Sequence, residues 1–177
     1  MTDLPRVTEI LEPHTDFSKV PESTLEQAAY RGTKVHQSCA AYAQKLWAPI
    51  PQEYAGYFFS FQTWFDEYVE EVVYVEKELI DPIYGFVGHI DFYGRLKSLG
   101  RALLDWKTPI TLYKQWKIQL SAYGRLLEVD KKKVDVVASL QLDPNGKTPK
   151  MVRYEGESAQ DFNIFLGLLN AHYYFQR

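Results

Sequence analysis

The segment from Val87 to Tyr123 constrains this chain more than any other: V-G-H-I-D, a short polar turn, R-A-L-L-D-W-K-T, then Q-L-S-A-Y at helical spacing. Two strand-like arms around Lys97-Ser98-Leu99 predict a β-hairpin centred on Ser98, in which Asp91 faces Asp105. Directly opposed residues hold their Cβ atoms roughly 4.5–5.5 Å apart on one face of a sheet. Side chains alternate along a strand, so Lys107 shares the face of Asp105 while Trp106 points the other way. Two carboxylates that close repel and raise a pKa unless a cation lies between them. An Asp–Asp–Lys cluster on one sheet face therefore reads as a divalent-metal site with a charged base beside it. Ile90, Phe92, Leu104 and Trp106 flank the two acids, so both interrupt segments that read as buried on the opposite face.

Around this hairpin the chain predicts one domain, 1–177, with its core over about 23–142 and a first segment of about twenty residues wrapping the surface. S-T-L-E at Ser23 to Glu26 is a capping-box pattern and predicts a helix to about residue 47. Its buried face is expected from Leu25, Ala28, Ala29, Gly32, Val35, Cys39, Ala43 and Leu46, with His36 at its border. Gly32 inside a helix costs about 1 kcal/mol relative to alanine, which a close approach to the sheet would explain. Further on, the pattern predicts a helix over about 52–69, a strand over about 71–80, and a turn at Asp81-Pro82 before the hairpin. A helix over about 112–129, strands over about 134–142 and 150–154 around the D-P-N-G turn, and a last helix over about 158–174 complete it. The order is α-α-β-β-β-α-β-β-α, an α/β class with a mixed central β-sheet flanked by helices on both faces.

Four pieces, in this order and on these elements, resemble the PD-(D/E)XK nuclease superfamily, and within it the RecB-like and phage-type exonucleases. They are R-G-T-K-V-H (Arg31 to His36), G-H-I-D (Gly88 to Asp91), D-W-K (Asp105 to Lys107) and Q-L-S-A-Y (Gln119 to Tyr123). D-x-K alone carries almost no information; the ordered set is far more specific, and it spans roughly residues 23–142. The resemblance implies a restriction-endonuclease-like core and metal-dependent hydrolysis of DNA phosphodiesters. It further implies Mg²⁺ or Mn²⁺ held by His36, Asp91 and Asp105, since hard cations favour carboxylates, carbonyls and water. A backbone carbonyl near Trp106 is a further expected ligand. Lys107 would orient the attacking water and stabilise the transition-state charge. Gln119 and Tyr123, four apart on one helix face, would bind a phosphate or Lys107. Each residue also has a plainer interpretation: strand acids are often solvated, a lone lysine snorkels, and a histidine on an apolar face is commonly a core residue. Trp116 packs its helix onto the sheet on either view. Glu76, Glu78 and His89 lie near the site, but a register uncertain by one residue across Asp81-Pro82 leaves the faces of the two glutamates open.

Charge and cysteine content narrow the setting. The net charge is −3, so DNA contact must come from local clusters such as Lys114 and Lys117 and from the ion, not from a global basic field. Cys39 is the single cysteine, which excludes an internal disulfide and a four-cysteine cluster, a departure from the iron–sulfur members of the resembled group. Zinc through His36 and Cys39 lacks a third and fourth nitrogen or sulfur ligand at suitable spacing. The N-terminus M-T-D-L-P is no export signal, and no apolar run suits a membrane span, so a cytoplasmic location is expected. Linear or single-stranded DNA ends, a helicase or annealing protein, and an oligomer are the partners that the resemblance suggests, with a role in recombination or repair. Two rivals remain: a nucleic-acid-binding module of the same fold without turnover, and a ligand or interaction domain whose acids are merely exposed.

Overall fold

The turn chemistry of the central segment sets the sheet. In the computed structural model, which describes residues 4–109, 111–154 and 158–175, β1 (Val69–Asp81), β2 (Phe86–Leu96) and β3 (Gly100–Lys107) form an antiparallel meander. Ser98 takes φ 64° at the centre of the β2–β3 turn, and the ladder runs from Leu96↔Gly100 to Phe92↔Leu104, the register expected from the sequence. α4 (Gln115–Val129) then crosses back so that β4 (Val136–Gln141) lies parallel to β3, the long connection a parallel pair requires. β5 (Lys150–Arg153) returns antiparallel on β4 after a turn at Gly146, φ 75°. The result is an α/β protein with a mixed five-stranded sheet in the order β1-β2-β3-β4-β5.

Helices cover both faces. α2 (Glu22–Ala43) and α3 (Ala55–Tyr68) bring Val35, Cys39 and Phe61 against Phe92, Leu104 and Trp106. On the other face α1 (Val7–Leu11), α4 and α5 (Ser158–Phe175) bring Ile10, Leu120 and Phe165 against Phe86, Ile90 and Leu103. Burying a side chain of this size contributes about 1.5–3 kcal/mol, so the two clusters fix which way every strand residue must face. β3 obeys strict alternation. β2 does not: Ile90 and Tyr93 join the same cluster, with Phe92 in the opposite one, so the alternation slips at Asp91. β1 carries register shifts between Val69 and Glu71 and between Val72 and Tyr74, and Glu76 sits at φ 49°. A left-handed conformation costs a non-glycine residue roughly 1–2 kcal/mol. The β1–β2 ribbon is thus kinked at Glu76 and Asp91, beside each other in adjacent strands.

Four local expectations are corrected. The first segment does not merely wrap the surface: Arg6 bridges to Val87, and Val7, Ile10 and Leu11 are buried under α4 and α5. Spaced i, i+3, i+4, they make one apolar face of a helix too short to show a period. α2 begins at Glu22 with Pro21 as its N-cap and no side-chain capping bond, so the Ser23–Glu26 box is not formed. It ends at Ala43, leaving Leu46 exposed. A Cβ on Gly32 would meet nothing within 4 Å, so no close approach to the sheet explains it. The tight approach lies at Gly88, where a Cβ would come within 2.5 Å of Leu126 and 2.8 Å of Tyr123 on α4. Among the described residues no helix is long and apolar enough to cross a membrane.

Candidate active site

Past Phe92↔Leu104 the β2–β3 ladder stops, and the Trp106 peptide must find partners other than the backbone of β2. Its N–H donates to Asp91 Oδ2 at 2.8 Å, and its carbonyl lies 2.7 Å from His36 Nε2. A carbonyl can only accept, so Nε2 carries a proton and the other ring nitrogen is turned inward. That Nδ1 stands 3.6 Å from Asp91 Oδ2 and 4.0 Å from Glu76 Oε1. The buried Trp106 side chain anchors the arrangement from the face that α2 covers, edge-on to the His36 ring with centroids 5.9 Å apart. Val35 and Cys39, both fully buried on either side of His36, fix the rotation of α2.

The α4 side is a closed polar ring. Lys107 Nζ lies 2.6 Å from Asp105 Oδ2 and donates to Gln119 Oε1 at 3.2 Å. Gln119 Nε2 donates to Asp105 Oδ1 at 3.1 Å and to Tyr123 Oη at 3.0 Å. Gln119 and Tyr123 meet because four residues span about one helical turn, and α4 presents both to the sheet while Leu120 and Leu126 fill the core around them. The Lys107 ammonium also sits 5.4 Å from the centroid of the Trp116 ring.

The electrostatics follow from crowding carboxylates in a buried place. Burial alone would lower the His36 pKa, but the Asp91 carboxylate, seconded by Asp105, overrides it and raises the imidazolium to about 9. Asp105 is pushed up to about 6 by burial and by Asp91, against the pull of Lys107. Asp91 resists its burial and stays below the usual carboxylate range because His36, Lys107 and the Trp106 N–H favour its charge. Glu76 is raised by burial and by Asp91. Two oxygens, Glu76 Oε1 and Asp105 Oδ2, are buried without a well-aligned hydrogen bond.

The structure therefore brings His36, Asp91, Asp105, Lys107, Gln119 and Tyr123 to one place, where α2 and α4 flank the gap between β2 and β3. The tightest donor group differs from the expected trio. Atoms of His36, Glu76 and Asp91 lie within 4.8 Å of one another, whereas Asp105 turns its carboxylate to Lys107 and Gln119. The sequence pattern alone leaves the face of Glu76 open. The signal for it was the D-P-I-Y-G-F turn: taken as a four-residue loop pairing Asp81 with Phe86, as observed, it sets Glu76 opposite Asp91. Glu78 goes elsewhere and pairs with Arg6 at 3.2 Å. His89 Nδ1 holds Glu76 Oε2 at 3.1 Å, a support for the carboxylate. Lys117 pairs with Asp161 at 3.3 Å, and Lys114 is exposed at the start of α4. No protein-family model matches the chain, and no curated protein matches it.

Proposed function

We propose that the protein is a metal-dependent deoxyribonuclease of the PD-(D/E)XK type, with a restriction-endonuclease-like core, hydrolysing DNA phosphodiesters as an exonuclease in recombination or repair within the cytoplasm. One observation carries the proposal: Asp91, Asp105, Lys107 and the His36 imidazole converge at the point where β2 and β3 part. Surface acids and a snorkelling lysine would not be gathered around one peptide in a buried place.

The residues fit a divalent cation. Glu76 Oε1 is buried with no hydrogen-bond partner beside the inward Nδ1 of His36 and the Asp91 carboxylate, a donor set dominated by hard oxygen. Mg²⁺ or Mn²⁺ would be held by His36, Asp91 and Glu76, with Asp105 within the same field. Such an ion supplies positive charge to a phosphoryl oxygen and acidifies water beside it. The histidine is prepared for this, since its Nε2–H is committed to the Trp106 carbonyl, which fixes the tautomer that offers Nδ1.

The chain's own contribution centres on Lys107. Its ammonium is held by Asp105 and Gln119. It stabilises negative charge on the phosphorane-like transition state and holds the attacking water in line. Gln119 positions both Lys107 and Asp105, and Tyr123 accepts the second amide hydrogen and so locks the amide orientation. Both act through Lys107 and not on substrate.

Incubating the purified protein with linear single- and double-stranded DNA tests this. Cleavage with Mg²⁺ or Mn²⁺ that disappears with chelator and in Lys107→Ala is expected. Metal binding without cleavage would instead identify a fold-preserving binding module, and neither would leave an interaction domain.

A further inference from the structure

Between the segment joining α1 to α2 and the first turns of α4 runs a groove of about 740 Å³ that the chemistry above does not use. Its walls are mostly apolar, formed by Leu11, Phe17, Val20, Leu25, Tyr113 and Trp116. Phe17 and Tyr113 meet edge-on with centroids 6.3 Å apart, and Tyr113 meets Trp116 at 5.5 Å. This row of rings ends at the candidate active site, because Gln119 lines the groove and Lys107 Nζ lies 5.4 Å from the Trp116 ring centroid.

Charge is distributed unevenly along it. Arg31 is the one cation among the described lining residues, and its Nε reaches Thr108 Oγ1, next to Lys107, at 3.4 Å. Glu9 and Glu12 belong to the α1 end. A ligand seated here must therefore be apolar and flat along most of its length and anionic toward Lys107. A nucleotide at an unpaired strand end has that character: every base offers a π face to an aromatic ring, whatever its identity. Bases inside a duplex are already stacked on one another and cannot enter. An apolar peptide would match the walls but bring no anion to Arg31, whose Nε meets only the neutral Thr108 hydroxyl among the described residues, nor a second anion to Lys107, which Asp105 already pairs.

We propose that this groove is a subsite for the unpaired end of a DNA single strand, with bases against Phe17 and Tyr113 and the adjoining phosphate between Arg31 and Lys107. The proposal deepens the nuclease reading and rests on it for the fate of that phosphate, though the binding stands by itself. Phe17 and Tyr113 are partly exposed, so truncating them does not empty the core.

The test is a binding titration in chelator, using a short single strand with 2-aminopurine at one terminus. Wild-type protein should quench the terminal 2-aminopurine. Phe17→Ala and Tyr113→Ala should each weaken affinity by about tenfold, whereas the ring-retaining Phe17→Tyr and Tyr113→Phe should bind as wild type. Alanine variants that bind unchanged, or a blunt duplex that binds with the same ring dependence, would overturn the proposal. A protein that binds in this ring-dependent way yet never cleaves with Mg²⁺ or Mn²⁺ sinks the nuclease reading alone. One that cleaves while the alanine variants bind normally sinks the groove alone.

Discussion

Asp81 and Asp105 are the same residue type, both almost wholly buried, and each faces a cation, yet the protein treats them in opposite ways. Asp81 Oδ1 accepts the N–H groups of Ile83 and Tyr84 at 2.8 and 3.0 Å, and Oδ2 accepts Arg125 Nε at 2.9 Å. Arg125 continues to Glu128 at 2.9 Å and lies over the Tyr84 ring. Every charge has a matched, aligned partner. Asp105 has one amide donor and one ammonium for two oxygens, with Asp91 close enough to push it up and to push up Glu76 as well. Satisfied buried networks specify structure; unsatisfied ones mark strain or function. The difference separates a hinge pin of the β1–β2 turn from a place that expects another positive charge.

The largest effect that would sharpen this contrast is on turnover. Lys107→Ala should reduce DNA cleavage by at least about 100-fold, the scale seen when a transition-state donor is lost. Lys107→Arg should not restore it, because guanidinium neither exchanges a proton readily nor occupies the same compact position. Steady-state cleavage assays check both. Asp81→Ala should do the reverse: the stability to urea should fall by about 3 kcal/mol, since an arginine loses its buried partner and two turn amides lose their acceptor. Cleavage by the protein that remains folded should persist. If Asp81→Ala abolished cleavage without loss of stability, the two aspartates would not be distinguished as argued.

The same contrast explains what could be seen without coordinates. Asp105 and Lys107 were legible because β3 alternates strictly, and Asp91 because the hairpin keeps the expected register around its three-residue turn up to Phe92↔Leu104, even though β2 slips at Asp91 itself. α2 exposed His36 through the periodic burial of Val35, Cys39 and Ala43. Glu76 was hidden by β1, whose two register shifts and left-handed residue break the period-two pattern on which face assignment depends. It also separates Glu76 from Glu78, which simple alternation would place together. α1 was hidden for another reason: five residues carry too little pattern, and the burial of Val7, Ile10 and Leu11 is decided by α4 and α5. Gly32 remains without a packing reason.

Proton linkage gives a smaller, graded effect. His36 has its pKa raised from 6.5 to about 9, so the imidazolium contributes stability that is complete below pH 6.5 and is lost as pH rises through about 9. An ion at Nδ1 competes with that proton. The apparent affinity for Mn²⁺ should therefore climb by up to about tenfold per pH unit between 7 and 9, then level off. Calorimetry at pH 7.5 in buffers of differing ionisation enthalpy should register about one proton released per ion bound. His36→Asn should remove that release, whereas His89→Asn should retain it. Release that is unchanged in His36→Asn would place the titrating group elsewhere.

The smallest effect has the most informative sign. Glu76 is held in a left-handed backbone conformation, its Oε1 buried without a hydrogen bond, and its carboxyl raised by burial and by Asp91. An acid whose folded-state pKa is raised destabilises the fold above that pKa, because its charged form is the disfavoured one. Glu76→Gln removes the charge, keeps the shape, and gives His36 and Asp91 a neutral neighbour. Metal-free protein at pH 7 should gain about 1 kcal/mol in urea unfolding, the scale of a buried polar mismatch relieved. In saturating Mn²⁺ the order should reverse, since the wild type gains binding free energy that the variant has forfeited. Asp81→Asn offers the control: it should destabilise in both conditions, with no crossing. A Glu76→Gln protein less stable than wild type with and without the ion would make Glu76 scaffolding like Asp81, and the division between the two kinds of buried acid would fail at that residue.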